Sequence, residues 1–201
     1  MRFCWGTDVH LDHATTKQNV DFYREIGLRN SDGLFLTGDI AEAPTVIDYI
    51  ERMSAAIGSI RATDQHEGGF TRIPIFFVLG NHDFYHGSFE NVRQRVSERL
   101  GPKHNAHYLH QRHTMRLNDR WAIAGVDGNA DARHGLFNGR RTSERVWLND
   151  FNYIAEYRGL SRDSVRKMME ELGDVAAKRG KKLIEEAWHQ GYANLVFLTH
   201  V

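Results

Sequence analysis

The tetrad Gly80-Asn81-His82-Asp83 combines residue types that could bind a metal ion and move a proton. Asn81 offers a neutral amide oxygen, His82 an imidazole that can carry a proton near physiological pH, and Asp83 a carboxylate that can orient a neighbour. The tetrad follows an apolar run at 73–79 that predicts a buried strand, so these groups stand where a strand ends. Because Gly-Asn is also a common turn, an ordinary polar loop is the alternative for the tetrad taken alone.

Two more polar groups follow predicted strands in the first fifth of the chain. Residues 2–7 predict a strand that ends before Asp8 and His10, and residues 33–37 predict a second strand that ends before Asp39. Alternate side chains of an extended chain share a face. We therefore expect Asp8 and His10 to point the same way and to bind one ion.

The elements between these motifs determine whether the motifs meet. Helical patterns at 15–29 and 44–58 separate the three strands, and this alternation favours parallel strands joined by crossover helices. Parallel strands bring their carboxyl ends to one edge of a sheet. Four side chains are expected to converge at that edge: Asp8, His10, Asp39 and Asn81. This set of nitrogen and oxygen donors suits Mn, Fe, Zn or Co.

The chain after the tetrad predicts two more helices and two more strands. The helices are expected at 87–100 and 161–190, and the strands at 120–126 and 195–199. His200 follows the last of these strands and is the fourth candidate ligand at a strand end.

Three other features allow more than one interpretation. Four histidines recur at a spacing of three, and we expect them to be surface residues rather than ligands: His104, His107, His110 and His113. Segment 127–147 is rich in Gly, Asn and Arg. It is expected to be a solvated loop, with a substrate cap whose arginines bind phosphate as the alternative. His13 is expected in a loop or at a helix start, and not as a ligand.

The composition indicates a single domain spanning 1–201. Lys plus Arg and Asp plus Glu both number 26, so the formal net charge is zero and nucleic-acid binding is not favoured. Cys4 is the one cysteine and is expected to be a packed thiol. No secretory leader or long apolar span is recognised, so a cytoplasmic protein without a membrane partner is expected.

Three ordered motifs resemble those of the calcineurin-like metallophosphoesterase family: Asp8-x-His10, Gly38-Asp39 and Gly80-Asn81-His82-Asp83. The resemblance implies an α/β fold in which two β-sheets pack as a sandwich flanked by helices. It also implies two divalent metal ions (Mn, Fe, Zn or Co) that hydrolyse phosphate mono- or diesters with a metal-activated hydroxide. A phosphate ester is therefore the expected substrate.

The resemblance also implies a role for each candidate residue. The implied ligand sets are Asp8, His10 and Asp39 for the first metal, and Asp39, Asn81 and His200 for the second. His82 is implied as the general acid for the leaving group, a role worth roughly 10²–10⁴ in rate. Asp83 is implied to orient or charge the His82 imidazole.

The sequence departs from the family pattern at its end. The family continues with a strand ending in Gly-His-x-His, and here the chain stops at Val201. A domain that lacks its C-terminal strands is therefore expected to bind metal weakly and to turn over slowly. The alternative function is an incomplete or degenerate metal-binding scaffold without efficient turnover, and a nuclease is a third possibility. The motifs do not choose among nucleotide, phospholipid-precursor and phosphoprotein substrates.

Overall fold

The computed structural model describes residues 1–64, 73–133, 136–137, 140–141 and 147–200. The strands are β1 (Phe3–Gly6), β2 (Gly33–Thr37), β3 (Ile75–Val78), β4 (Ala106–Tyr108), β5 (Met115–Arg116), β6 (Trp121–Gly125), β7 (Leu136–Phe137), β8 (Arg140–Arg141) and β9 (Asn194–Leu198). The α-helices are α1 (Thr16–Leu28), α2 (Val46–Asp64), α3 (Phe89–Arg99), α4 (Asp150–Tyr153) and α5 (Arg162–His189). Within the described residues, no helix is both long and apolar enough to cross a membrane.

The first sheet is parallel throughout, with strand order β1-β2-β3-β4. Phe3 lies opposite Gly33, and Leu34 lies opposite Ile75. Helices α1 and α2 make the crossovers between the first three strands, as parallel pairing requires. The predicted alternation of strands and helices is therefore confirmed, and the carboxyl ends of β1, β2 and β3 lie along one edge.

The second sheet has the order β5-β6-β9. Strand β6 is antiparallel to β5 and parallel to β9. Gly125 lies opposite Leu198, so β6 and β9 end side by side. The residues that follow these two strands, including His200, therefore leave the second sheet at the same end.

Side-chain alternation along the strands builds three apolar layers. Leu34 and Leu36 of β2 belong to the largest cluster, which joins the first sheet to α1, α2 and α3. Phe35 faces the other way and packs with Ile123 and Leu198 of the second sheet. On the outer face of that sheet, apolar residues of β6 and β9 pack against α5. The expected α/β sandwich flanked by helices is confirmed.

Several predicted boundaries shift in the structure. Helix α2 begins at Val46 and continues to Asp64, beyond the predicted end at residue 58. Ser88 and Ser161 cap the N-termini of α3 and α5, since each accepts a hydrogen bond from the backbone N–H three residues on. Helix α4 and the short hairpin β7–β8 were not predicted, because each is too short to show a periodic apolar pattern.

Candidate metal centre

Asp39 lies at the centre of a cluster of histidines at the carboxyl edge of the first sheet. Its Oδ2 atom is 3.8 Å from His10 Nε2 and 3.9 Å from His82 Nε2, and its Oδ1 atom is 3.5 Å from His200 Nε2. Asp39 is only 4% exposed, and a buried carboxylate requires positive charge or hydrogen-bond donors nearby. Loops that follow β1, β2, β3 and β9 therefore converge on one buried carboxylate.

Left-handed turns direct three of the predicted ligands. Asp8, His10 and Asp39 have φ angles of 51°, 38° and 52°. The Asp8 N–H donates to the Gly38 carbonyl at 3.2 Å, and the His10 N–H donates to the Asp39 carbonyl at 3.1 Å. Non-glycine residues pay about 1–3 kcal/mol for such conformations, which are concentrated at functional sites. The backbone is therefore held in a costly conformation at the positions of the predicted ligands.

The expectation that the alternation of an extended chain directs Asp8 and His10 to the same face is wrong. Strand β1 ends at Gly6, so left-handed turns, and not strand alternation, set the directions of both side chains. Asp8 forms one group of candidate ligands with Asp39 and His200, while His10 forms another with Asp39 and His82. In each group the donor atoms lie within 4.8 Å of one another. Asp39 belongs to both groups, as a residue that bridges two ions would.

Three acceptor atoms face one another where His200 meets Asn81. The Nδ1 atom of His200 lies 2.8 Å from the Thr37 carbonyl, which can only accept, so Nδ1 carries the proton. The Nε2 atom then faces Asn81 Oδ1 at 3.3 Å and Asp39 Oδ1 at 3.5 Å. A second imidazole proton, a cation, or the Asn81 NH₂ group in the other orientation of the amide would satisfy Nε2. The donor set therefore fits a divalent ion at this position.

Glycines leave the space in which these side chains meet. A Cβ atom at Gly80 would lie 2.2 Å from Asp39 Oδ1, and one at Gly38 would lie 2.6 Å from His200 Nδ1. Gly38 also has a φ of +84°, which favours glycine. The glycines of the Gly38-Asp39 and Gly80-Asn81 motifs are thus required by the close approach of neighbouring groups.

His82 lies beside the cluster with part of its ring open to solvent. The ring stacks on Tyr85 with centroids 4.3 Å apart and meets His10 edge-on at 4.7 Å. Its side chain is 30% exposed. Its Nδ1 atom is buried and has no hydrogen-bond partner among the described residues. The imidazole is therefore held by its aromatic neighbours, with Nε2 directed towards Asp39.

Among the described residues no hydrogen bond or ion pair joins Asp83 to the His82 ring, so the expectation that Asp83 orients the imidazole is wrong. Its Oδ1 atom accepts the N–H groups of Ile40 and Ala41 at 2.8 and 2.9 Å, and its Oδ2 atom accepts the Gly80 N–H at 2.8 Å. Burial raises the pKa of Asp83 to about 8, while the three N–H donors oppose that rise. The side chain joins the loop after β2 to the loop after β3 and is a positioning residue.

Sequence reasoning missed a buried polar network next to this site. Asp127 accepts hydrogen bonds from the Leu79 N–H at 2.9 Å, from Arg93 Nε at 2.9 Å and from the Tyr108 hydroxyl. The His110 Nδ1 atom accepts the Asp127 N–H at 2.8 Å. Burial lowers the pKa of His110 to about 4. The signal for this network was a carboxylate at the end of β6, the same signal that identified Asp39.

The other histidines and arginines behave differently from expectation. His110 is mostly buried and His104 and His107 are partly buried, so only His113 is the exposed surface residue that was expected of all four. Within segment 127–147, Arg133 pairs with Asp131 and Asp174. His134 and Arg145 lie outside the described residues, as do the side chains of Arg140 and Arg141.

Comparison with known proteins places the chain in a family. A family model described as calcineurin-like phosphoesterase matches residues 1–199. The chain belongs to the calcineurin-like phosphoesterase family, and it is therefore grouped with hydrolases of phosphate esters.

Among curated proteins the chain is similar to UDP-2,3-diacylglucosamine hydrolases of Xanthomonas oryzae pv. oryzae strains PXO99A, MAFF 311018 and KACC10331. Each is 34% identical over 99 residues, a stretch that covers 48% of this chain and 37% of the relative. The match therefore spans little more than a third of the length of these relatives.

Proposed function

We propose that this chain hydrolyses phosphate esters at a centre that binds two divalent metal ions. The observation that carries the proposal is the set of acceptor atoms around Asp39. His200 Nε2 faces Asn81 Oδ1 and Asp39 Oδ1 with its proton on the other ring nitrogen, while the His82 N–H donates to Asp39 Oδ1 and His10 lies near the second oxygen of Asp39. Such a set of nitrogen and oxygen atoms suits a divalent cation.

The proposed ligands are Asp8, His10, Asp39, Asn81 and His200, with the Asp39 carboxylate shared between the two ions. A carboxylate can span two cations and offset their mutual repulsion, whereas an amide oxygen serves one. When bound, the two ions supply an activated water and neutralise charge on the phosphoryl group. The metal identity is proposed as Mn, Fe, Zn or Co because the donors are imidazole nitrogens and hard oxygens.

His82 is proposed as the general acid that protonates the leaving oxygen. Its ring lies at the cluster but keeps an open side, as a group that meets a substrate must. Stacking on Tyr85 and the edge contact with His10 limit rotation of the ring. The backbone at His82 is also held in place, since the His82 N–H donates to Asp39 Oδ1 at 3.0 Å. Asp83 contributes indirectly, by holding the two loops that carry Asp39 and His82.

The substrate class is proposed from the relatives and from the chain itself. The curated relatives are hydrolases of UDP-2,3-diacylglucosamine, so phosphodiesters and nucleotide-linked lipids belong in the substrate panel beside monoesters. The zero net charge does not favour extended contacts with a nucleic-acid backbone. A cytoplasmic location and a single domain over 1–201 stay predictions from the sequence.

Metal content and hydrolysis measured together test the proposal. The protein is loaded with Mn²⁺, its bound metal is counted by mass spectrometry, and turnover of p-nitrophenyl phosphate and bis-p-nitrophenyl phosphate is followed. His82→Ala should keep the metal and slow hydrolysis by about 10²-fold or more, most for esters with poor leaving groups. His113→Ala, which changes an exposed histidine, should match the unmodified protein.

Two results would contradict parts of this proposal. Loss of metal in His82→Ala in parallel with activity would show that His82 is a ligand and not the acid. Tight metal binding without turnover of any ester would support the alternative of a non-catalytic scaffold. Asp39→Asn should abolish both metal binding at this centre and hydrolysis.

A further inference from the structure

A second cluster of nitrogen and oxygen donors lies beside the candidate metal centre. Asp12, His13 and Glu42 place donor atoms within 4.8 Å of one another. None of these residues belongs to the ligand set proposed above. The two clusters adjoin through an aromatic contact, since the rings of His10 and His13 stack with centroids 5.5 Å apart.

Backbone hydrogen bonds hold the two carboxylates of this cluster together. The Glu42 N–H donates to Asp12 Oδ2 at 2.8 Å, and the Leu11 N–H donates to the Ile40 carbonyl at 2.8 Å. Asp83 also holds residues 40 and 41 in place, because its carboxyl group accepts their N–H groups. Two like charges held this close repel each other unless a cation lies between or beside them.

The second oxygen of Asp12 is the feature that most needs a partner. Asp12 Oδ1 is buried from solvent and has no hydrogen-bond partner within the described part of the chain. A buried carboxylate oxygen without a donor is costly, so an ion or another unseen donor is expected there. Because Oδ2 is already used by the Glu42 N–H, Oδ1 is the oxygen left for a ligand.

His86, from the loop after β3, lies next to the Glu42 carboxylate of this cluster. Its Nε2 atom lies 3.4 Å from Glu42 Oε2, and its ring packs against Tyr153 with centroids 5.0 Å apart. The backbone of His86 has a φ of 64°, and its N–H donates to the Tyr153 carbonyl at 2.9 Å. The imidazole is therefore held next to Glu42 by a fixed backbone.

We propose that Asp12, His13 and Glu42 form a third divalent cation site, distinct from the two-metal centre at Asp39, with His86 beside Glu42. Two carboxylates and an imidazole suit Zn, Mn or Co. A cation here neutralises the acidic pair and joins the loops after β1 and β2. Through the His13 ring it also restrains His10.

Counting metal in an Asp39→Asn background tests this site separately from the two-metal centre. The Asp39→Asn protein should keep one tightly held Zn²⁺ or Mn²⁺ in equilibrium dialysis followed by mass spectrometry. Adding Glu42→Gln or His13→Ala should weaken that site by at least about tenfold, since even indirect partners of a metal ligand are worth 10–100-fold. Adding Glu186→Gln instead, which alters an acid paired with the exposed His113, should change nothing.

The same substitutions are also measured without Asp39→Asn, in case the Asp39→Asn protein does not fold. Glu42→Gln should there bind one equivalent fewer than the parent protein, with an unchanged circular dichroism spectrum. The proposal is overturned if Glu42→Gln and His13→Ala leave both the number of bound ions and their dissociation constants unchanged. Because the readout is metal content, a protein that hydrolyses no ester would refute the proposed function without affecting this test.

Discussion

Replacing His110 by Asn should alter how the stability of the protein depends on pH. The His110 ring lies among Asp127 from the loop after β6, Arg93 from α3, Arg179 from α5 and Tyr108 from β4. Burial is the largest cause that lowers its pKa, and the two arginines act in the same direction while Asp127 opposes them. Its Nδ1 atom also accepts the Asp127 N–H, and a proton on that atom would break the hydrogen bond.

The sign and size of the effect follow from linkage. In the folded protein His110 stays neutral down to a pKa of about 4, whereas the unfolded chain takes up a proton near the ordinary value of 6.5. The unfolded state therefore binds more protons between these pH values, and stability falls as pH falls. Each unit of pKa difference is worth about 1.4 kcal/mol, so the loss is about 2 kcal/mol at pH 5 and about 3 kcal/mol at pH 4.

Urea unfolding at pH 7 and pH 5, followed by tryptophan fluorescence, measures the effect. Asn can still accept the Asp127 N–H but cannot titrate. Between pH 7 and pH 5 the free energy of unfolding of His110→Asn should therefore fall by about 2 kcal/mol less than that of the parent protein. His113→Asn is the matched control, since His113 is 85% exposed and should leave the pH dependence unchanged. Equal losses in the parent protein and in His110→Asn would refute the reasoning.

Two further substitutions test the packing around the site. Gly80→Ala should weaken metal binding at the Asp39 centre by at least about tenfold in a dialysis measurement, because its Cβ would lie 2.2 Å from Asp39 Oδ1. An unchanged affinity would contradict the claim that the close approach of Asp39 requires glycine at residue 80. Asp127→Ala should lower the free energy of unfolding by about 3–5 kcal/mol in urea, because it leaves the buried Arg93 without its anion. Asp119 forms an exposed ion pair with Arg116, so Asp119→Ala should lower the free energy of unfolding by about 1 kcal/mol or less. Similar losses in Asp127→Ala and Asp119→Ala would contradict the importance of burial.

The order of elements was predictable because it depends on local patterns. Apolar runs of strand length at 33–37 and 73–79 and the helical stripes between them are visible in the sequence. Right-handed crossovers leave parallel pairing as the favoured topology. The meeting of strand ends followed from that topology. The direction of each side chain did not, because Asp8 and His10 adopt left-handed turns that no alternation rule anticipates.

The role of Asp83 shows a different limit. Adjacent residues were expected to act together, yet the short 3₁₀ helix at His82–Phe84 sends the two side chains to different surroundings. His82 reaches the cluster around Asp39, while Asp83 turns inward to the backbone of residues 40, 41 and 80. Sequence spacing gives the residue types at a site, and the backbone conformation decides their contacts.

By itself the sequence determined the chemistry that is possible here, namely imidazoles, carboxylates and an amide placed directly after apolar strands. It also determined the layered fold, because periodic apolar residues fix which face of each element is buried. Only the tertiary structure decided that Asp39 is shared by two groups of donors, that Asp83 supports loops, and that Asp12, His13, Glu42 and His86 adjoin. These contacts join residues far apart along the chain, so they depend on packing and backbone turns that local patterns do not specify.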